Sequence, residues 1–449
     1  MTRGSRHLAV LVQWGWICLA SAWLESAAAD ARPNVVLIIS DDQAWTDYGF
    51  MGHPAVRTPH LDRLAGRSRV FRRGYVPSSL CCPSLASILT GRYPHQHGIV
   101  SNDPPLPPGL AGAQRWKSPE FVQGRKWMNN ALESQPTLPK QLVAAGYRSF
   151  QAGKWWQGHF SRGGFTHGMT RGDEFQGGRH GDEGLKIGRH TMVPVFEFIT
   201  ESKKEGAPFF LWYAPMLPHD PHTPPDRLLA RYLPLTPSPH VARYWAMIEW
   251  FDETVGQLLA HLDRERLTQD TLVVYMTDNG WIQHPDRPRF APRSKQSPYD
   301  GGLRTPILLS WPGRIEPSRW DVPVSSVDIA PTVMAACGLP VHSGVAGIDL
   351  RDARALGGRN AAFGACFTHD AVVLESPVSS LRWRWGVVGE WKIIVPHAAR
   401  EPGDSVQLYH VTKDPHELVN LAPVEPRRLD RLLRAVDAWW DPSRQRTAP

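Results

Sequence analysis

The chain of 449 residues contains few cysteines, with five in all. A disulfide-built scaffold needs a dense set of paired cysteines, so the fold must rest on a hydrophobic core instead. Cys18 lies in an N-terminal segment that we expect to be removed, which leaves four cysteines in the mature chain. Of these, Cys337 and Cys366 could pair in an exported protein.

The sequence also lacks basic runs and nucleic-acid-binding motifs, although its formal net charge is +7. A nucleic-acid-binding protein usually carries such a footprint, so we predict that no nucleic acid is bound. A basic balance is compatible with an anionic substrate, for example a sulfated glycan.

Beyond the N-terminus, no stretch of the sequence suggests a membrane span. Residues 1–29 have the features of a secretory signal: Arg3 and Arg6, a mostly apolar run over 8–22, and three alanines before Asp30. The apolar run is shorter than the roughly 20 residues of a spanning helix. We predict signal cleavage, export to the periplasm or the exterior, and no stable membrane span after cleavage. An uncleaved anchor is the alternative.

Continuous apolar runs predict buried parallel strands at 34–39, 209–213 and 271–276, with a fourth run at 307–309. Polar residues follow three of these runs: Asp41 and Asp42, His219, and Asp278 and Asn279. Ligands of open α/β sheets bind beyond the carboxyl ends of the strands. These side chains therefore indicate one site.

The helical pattern is clearest over 244–262, and shorter helices are predicted at 136–145 and 328–337. The segment 101–130 is rich in proline and glycine and predicts a long loop. The expected fold class is therefore α/β, with a mostly parallel central sheet flanked by helices.

The pattern changes near residue 351. Alternation at 381–388 and 391–394 predicts hairpin strands, 407–409 could add one more, and 426–440 predicts a closing helix. We expect a catalytic α/β domain over 30–350 and a small antiparallel C-terminal subdomain, packed with the closing helix, over 351–449.

The strand-end residues Asp41, Asp42, Asp278 and Asn279 offer oxygen ligands. Such ligands suit the hard cations Ca²⁺ and Mg²⁺. A pair of acids after one strand is weak evidence by itself, and the shared strand-end position strengthens it. An unmodified thiolate would be a poor ligand for a hard cation.

The segment 81–92 reads CCPSLASILTGR. Pro83 suits the first turn of a helix, and Gly91 predicts its end. Cys81 would then lie at the helix N-terminus, where the dipole and free N–H groups stabilise a thiolate, an oxyanion or a bound sulfate. The simpler interpretation is that Cys81 and Cys82 are two small buried hydrophobes.

This segment resembles the C-x-P-S-R-x-x-x-L-T-G-R signature of the type I, formylglycine-dependent sulfatases of the alkaline phosphatase superfamily. Other motifs resemble that family in the same order along the chain: 41–42, 153–155, 218–222, 277–280, Lys295 with 299–306, and 408–409 with 413–415. The stretches 81–84 and 93–95 are most similar to the glucosamine-6-sulfatase-like members.

The resemblance implies that a maturation enzyme oxidises Cys81 to formylglycine. The resulting group would bind Ca²⁺, with Mg²⁺ the less fitting cation, together with Asp41, Asp42, Asp278 and Asn279. One hydroxyl of the hydrated aldehyde would attack sulfur, and the sulfated group would then expel sulfate, so that covalent catalysis divides one difficult step into two. Lys154, His219 and Lys295 would contact the sulfate. His219 or Asp278 would help protonate the leaving oxygen.

Two positions depart from the family pattern. Leu85 stands where the family has an arginine that helps hold formylglycine and helps the maturation enzyme recognise its substrate. Trp156 stands where family members commonly have a histidine that helps remove the proton and release sulfate. By sequence proximity, the histidines that could replace it are His95, His97, His159 and His180. Trp156 could instead form a wall on which a sugar stacks.

The leading hypothesis is a Ca²⁺-dependent sulfuric ester hydrolase that acts on a sulfated carbohydrate. A second hypothesis, based on Leu85 and Trp156, is a sulfatase-like protein that binds sulfated glycans with an impaired site. A third is a phosphodiester or phosphonate hydrolase on the same scaffold, in which an unmodified Cys81 could act.

Overall fold

The computed structural model describes residues 32–110, 112–172 and 180–444. The predicted signal peptide over 1–29 lies outside the described residues. Among the described residues, no helix is both long and apolar enough to cross a membrane.

Thirteen strands are described: β1 Asn34–Ser40, β2 Arg69–Tyr75, β3 Arg148–Gly153, β4 His167–Gly168, β5 Phe209–Ala214, β6 Thr271–Thr277, β7 Arg304–Ser310, β8 Ser318–Trp320, β9 Val324–Ser325, β10 Ala361–Phe367, β11 Leu381–Val388, β12 Trp391–Pro396 and β13 Gln407–His410. The α-helices of the described segments are α1 Pro59–Gly66, α2 Cys81–Thr90, α3 Pro94–His97, α4 Ala113–Trp116, α5 Pro119–Glu133, α6 Leu138–Ala144, α7 Val193–Lys204, α8 Asp226–Tyr232, α9 Pro239–Arg264, α10 Asp300–Leu303, α11 Ile329–Ala336, α12 Ala353–Gly358 and α13 Pro426–Trp439.

The main sheet has nine strands, in the order β4-β3-β5-β1-β6-β7-β2-β8, with β9 also paired to β2. Strand β1 lies near its middle and pairs in parallel with both β5 and β6. Successive side chains of a strand point to opposite faces. Accordingly, Val35 and Leu37 pack into one hydrophobic core, while Val36 and Ile38 pack into another.

These two cores confirm the predicted α/β architecture. Residues of α2, α6 and α11 belong to one core, and residues of α1, α7 and α9 belong to the other. All residues of β1, β5 and β6 are buried. Coverage on both faces explains why these strands are continuous apolar runs.

The fourth apolar run forms β7, which is antiparallel to both of its neighbours, β6 and β2. The sheet is therefore mixed, although most of its pairings are parallel. Burial alone does not distinguish the direction of a strand, because a central antiparallel strand is covered on both faces just as a parallel one is.

The predicted long loop over 101–130 is wrong, because α4 and α5 occupy much of it. Pro119 occupies the first turn of α5, where a missing N–H costs nothing. The hydroxyl of Ser118 caps the helix by accepting the N–H of Phe121 at 3.1 Å. The proline was thus a helix start rather than a loop signal.

The disulfide that Cys337 and Cys366 could have formed is absent: Cys81, Cys82, Cys337 and Cys366 are all free and buried. Cys366 lies at the end of β10, where its thiol is 3.4 Å from the hydroxyl of Ser79. The buried thiols act as small core residues.

The C-terminal sheet is antiparallel, in the order β10-β11-β12-β13, and α13 packs against it through Leu432 and Val436. This confirms the predicted small antiparallel sheet and its closing helix. Strand β10, which pairs with β11, was not predicted. The domain boundary at 350/351 stays a prediction.

A buried ionic cluster joins the C-terminal sheet to the main domain. Lys392 of β12 has no exposed surface, and its ammonium lies 2.7 Å from Asp300 and 2.9 Å from Glu417. The backbone N–H of Asp300 also donates to Glu417. Burial raises the pKa of Glu417 to about 7, while Lys392 opposes that shift. Because Asp300 begins α10, the cluster fixes the segment that follows Lys295.

Lys392→Met should lower the free energy of unfolding by about 3–5 kcal/mol, because it leaves two buried carboxylates without their counter-charge. Chemical denaturation followed by far-UV circular dichroism would measure the change. Lys413→Met, at an exposed position, is the matched control. A loss for Lys392→Met no larger than that of the control would contradict this role.

Candidate functional site

The predicted strand-end ligands converge. Ser40 of β1 pairs with Thr277 of β6, so the residues that follow these two strands lie side by side. The backbone N–H of Asp42 donates to Oδ1 of Asp278 at 3.1 Å, and Nδ2 of Asn279 donates to Oδ1 of Asp42 at 2.6 Å. Asp42 has a φ of 65°, a left-handed conformation that is costly for a residue with a Cβ.

Asp41, Asp42, Cys81 and His219 form a group whose candidate ligand atoms all lie within 4.8 Å of one another. Asp41 follows β1, Cys81 begins α2, and His219 lies in the loop after β5. The fold therefore brings together Asp41 and His219, which are 178 positions apart in the sequence. The predicted site residues lie in one place.

Two buried lysines balance the carboxylates. The ammonium of Lys154 is 2.6 Å from Asp41 and 3.5 Å from Asp278. The ammonium of Lys295 is 2.6 Å and 2.7 Å from the two carboxylate oxygens of Asp42. Lysines this deeply buried are ordinarily paired, so an incidental surface role is excluded for both.

Burial raises the pKa of Asp41 to about 6 and that of Asp278 to about 7. Burial acts on Asp42 in the same direction, but the charges of Lys295 and His219 outweigh it and hold its pKa at about 2. Crowded carboxylates of this kind need added positive charge.

The donor set fits a divalent cation. Oδ2 of Asp41 and Oδ1 of Asn279 are buried, and neither has a hydrogen-bond partner among the described residues. Buried polar atoms are nearly always satisfied, so such orphans need an explanation. When all three carboxylates are ionised, the two ammoniums leave one negative charge, and a divalent cation would make the site net positive. A positive site suits an anionic ligand.

Helix α2 begins at Cys81 and ends before Gly91, whose φ of 64° and N–H bond to Ser87 form its C-cap. The sequence predicted both features. The thiol of Cys81 is 1% exposed and lies 3.2 Å from the ammonium of Lys295. Burial raises the pKa of Cys81 to about 12, so the unmodified residue is a neutral thiol at ordinary pH.

His219 lies with its Nε2 3.4 Å from the carboxylate of Asp42. Burial lowers the pKa of His219 to about 4, although Asp42 opposes that shift. Arg189 supports this loop by donating to the carbonyl oxygens of Met216 and His219 at 2.7 Å and 2.9 Å. Arg189 was not singled out in the sequence, because no local motif marks its long-range contacts.

The two departures from the family pattern lie in apolar surroundings. Leu85 is 5% exposed and belongs to the same hydrophobic core as Cys81, Cys82 and Trp156. Trp156 is 3% exposed, and its ring lies 5.9 Å from the ammonium of Lys154. A cation over an indole face is favourable. Trp156 is thus a wall beside the site.

Arg125 is a further residue that the sequence did not reveal, because it lies in the segment predicted as a loop. Its guanidinium is 3% exposed and donates to the carbonyl oxygens of Asn102 and Trp156. It also lies 5.6 Å from the Trp156 ring. Asn102 in turn accepts the N–H of Cys82 at 2.9 Å. Arg125 therefore connects two loops that border the start of α2.

Of the four histidines considered in place of Trp156, His180 is the one in contact with the wall of the site. Its ring centroid lies 4.4 Å from that of Trp156 and 6.3 Å from that of His219. His95 stacks on Trp440, His97 contacts Ser87 beside α2, and His159 packs against Phe160.

Comparison with known proteins agrees with this geometry. The family model described as Sulfatase matches residues 33–339. N-acetylgalactosamine-6-sulfatase of Canis lupus familiaris is 27% identical over 488 residues, covering 94% of this chain and 88% of the relative.

Two solved structures share the fold. One, in complex with its substrate D-glucosamine-2-N,6-O-disulfate, has a TM-score of 0.73 at 19% identity and covers 92% of this chain and 100% of its own. The other, Ps i-CgsB in complex with k-i-k-neocarrahexaose, has a TM-score of 0.71 at 22% identity and covers 93% and 94%. With the family model matching more than half of its length, this chain belongs to the sulfatase family.

Proposed function

We propose that the protein is an exported hydrolase that removes sulfate esters from a sulfated carbohydrate, using a formylglycine formed from Cys81 and a bound Ca²⁺. One observation supports this most directly. The thiol of Cys81 begins α2 inside a cluster with Asp41, Asp42 and His219, in which the candidate ligand atoms lie within 4.8 Å of one another.

Formylglycine, once a maturation enzyme has formed it, supplies the nucleophile, and a bound Ca²⁺ supplies positive charge for the sulfuryl oxygens. Asp41, Asp42, Asp278 and Asn279 would hold the cation. Lys154 and Lys295 would orient the sulfate and stabilise the charge on its oxygens. His219, whose Nε2 faces the site, or Asp278 would help protonate the leaving alcohol oxygen.

The carbohydrate class is supported by what the similar proteins bind. The relative is an N-acetylgalactosamine-6-sulfatase, and the two solved structures are complexes with D-glucosamine-2-N,6-O-disulfate and with k-i-k-neocarrahexaose. The glucosamine-6-sulfatase-like subfamily and the position of the sulfate remain predictions.

We expect mass spectrometry of the peptide carrying Cys81 to show formylglycine after co-expression with a competent maturation enzyme. The same preparation should release sulfate from sulfated monosaccharides, measured by ion chromatography. Cys81→Ala should abolish release while leaving the circular dichroism spectrum unchanged. A fully unmodified thiol would count against the proposed chemistry.

Leu85→Arg is the companion variant. If the missing guanidinium limits maturation, Leu85→Arg raises the formylglycine fraction; if Arg125 or another group compensates, the fraction stays the same. Arg351→Leu, at a position outside the site, controls for general effects of changing the arginine content.

The other two hypotheses have distinct outcomes. Tight binding of sulfated glycans without sulfate release would favour the impaired binding protein. Turnover of phosphodiesters or phosphonates by unmodified Cys81 would favour the third hypothesis, which the neutral state of this buried thiol does not support.

Ca²⁺ should stabilise the protein by about 2.7 kcal/mol at a free concentration 100 times its dissociation constant. Differential scanning fluorimetry would record the rise in Tm, with Mg²⁺ in parallel. Asn279→Ala and Asp41→Asn should reduce the rise, whereas Asp286→Asn, at an exposed position, should not. An equal rise in all variants would rule out this cation site.

We further propose that the imidazole of His180 accepts the proton that the family's histidine would take. Its contacts with the rings of Trp156 and His219 support this role. His180→Gln should lower kcat by about 100-fold or more, the usual contribution of a general base. His159→Gln is the matched control, and a parallel loss in that variant would refute the role of His180.

A further inference from the structure

A groove of about 1610 Å³ lies between the main domain and the C-terminal sheet. We call it the interdomain groove. One wall consists of residues 95–98 and the second half of α5, and the other consists of residues 373–379 and 397–400. Small-molecule sites usually enclose about 300–1,000 Å³. The interdomain groove is larger and suits an extended ligand.

Each wall is connected to the start of α2 by a short stretch of the protein chain. On one side, Arg125 of α5 contacts the loops next to α2, and the same helix lines the groove at Trp127 and Asn130. Five residues of helix advance by about 8 Å. On the other side, Nε2 of His369 lies 3.4 Å from Nδ2 of Asn102, the residue that accepts the N–H of Cys82, and four residues later the chain lines the groove.

The lining mixes polar and apolar side chains and carries little charge. Among the lining residues, Arg400 and Glu375 are the charged pair, and the remaining polar groups are amides, hydroxyls and imidazoles. Trp127 adds a half-buried aromatic ring. Amides, hydroxyls and one aromatic ring match sugar hydroxyls and the apolar face of a pyranose.

The charge of the groove contrasts with that of the catalytic cluster. At the cluster, Lys154 and Lys295 concentrate positive charge for one anionic group. A glycan sulfated on every unit would place several anions in the groove, whose lining includes one permanently charged cation, Arg400. Desolvating unpaired anions is costly. The groove therefore favours unsulfated units.

We propose that the interdomain groove binds the unsulfated saccharide units of a glycan chain whose sulfated unit lies at Cys81. This inference rests on the proposed function and specifies its substrate: an oligosaccharide with sparse sulfation rather than a free monosaccharide or a densely sulfated chain.

A glycan array tests the proposal. The probes are neutral, sparsely sulfated and densely sulfated oligosaccharides of one to six units, and the protein is the full chain carrying Cys81→Ser to prevent turnover. Sparsely sulfated chains of four to six units should bind at least tenfold more tightly than the monosaccharide with the same sulfated unit. Tenfold corresponds to about 1.4 kcal/mol.

Variants of the groove residues test whether the glycan binds there. Trp127→Ala and Arg400→Ala should each reduce the ratio of hexasaccharide to monosaccharide affinity by at least about fivefold, roughly 1 kcal/mol. Trp127→Phe, which keeps a ring, should retain most of the ratio and shows that folding is intact. Trp320→Ala, on the edge strand β8 at the far side of the sheet, is the matched control.

Three results would overturn the proposal. The first is equal affinity for short and long glycans, the second is a length dependence that persists in both groove variants, and the third is no binding of any oligosaccharide. Sulfate release by the wild type is measured separately. Release without any length dependence overturns the groove alone, whereas length-dependent binding without release overturns the sulfatase reaction alone.

Discussion

The crowding of carboxylates at the ends of β1 and β6 is the constraint on which the rest of the site depends. Because these strands are parallel neighbours, Asp41, Asp42 and Asp278 are brought together in a place that water does not reach. Buried like charges are unstable without counter-charges. Lys154, at the end of β3, and Lys295 supply two of them.

The helix and the C-terminal sheet are arranged around the same cluster. The N-terminus of α2 directs its partial positive charge toward the carboxylates and places Cys81 beside Lys295. The segment after Lys295 is held in turn by Lys392 of β12 through Asp300. The C-terminal sheet is thereby connected, through a buried ion pair, to the segment that carries Lys295, rather than being an independent appendage.

The sequence predicted those features that depend on local pattern. Continuous apolar runs identified the central strands. The residues after them predicted that the candidate ligands converge, since parallel strand ends meet at one edge of a sheet. The direction of β7, the existence of β10, and the roles of Arg125 and Arg189 depend on contacts between distant segments. Proline at 119 misled the prediction of a loop, because the same residue suits a helix start. The sequence allowed a disulfide between Cys337 and Cys366 that the structure lacks, because a sequence does not give the distance between two thiols.

The charge of the cluster also relates the cation to the substrate. Without a divalent cation the fully ionised cluster is net negative and would repel the proposed sulfate ester, and a bound divalent cation would make it net positive and attractive to the ester. The two binding events therefore have a favourable coupling free energy, and each must strengthen the other by the same factor. The lysines alone cannot provide this, since their charges are already committed to Asp41 and Asp42 at distances of 2.6 Å. A sulfate that binds near Lys154 and Lys295 must compete with those carboxylates. If the carboxylates of Asp41 and Asp42 held a cation, they would no longer compete for the ammoniums, and Lys154 and Lys295 would be free to bind the substrate.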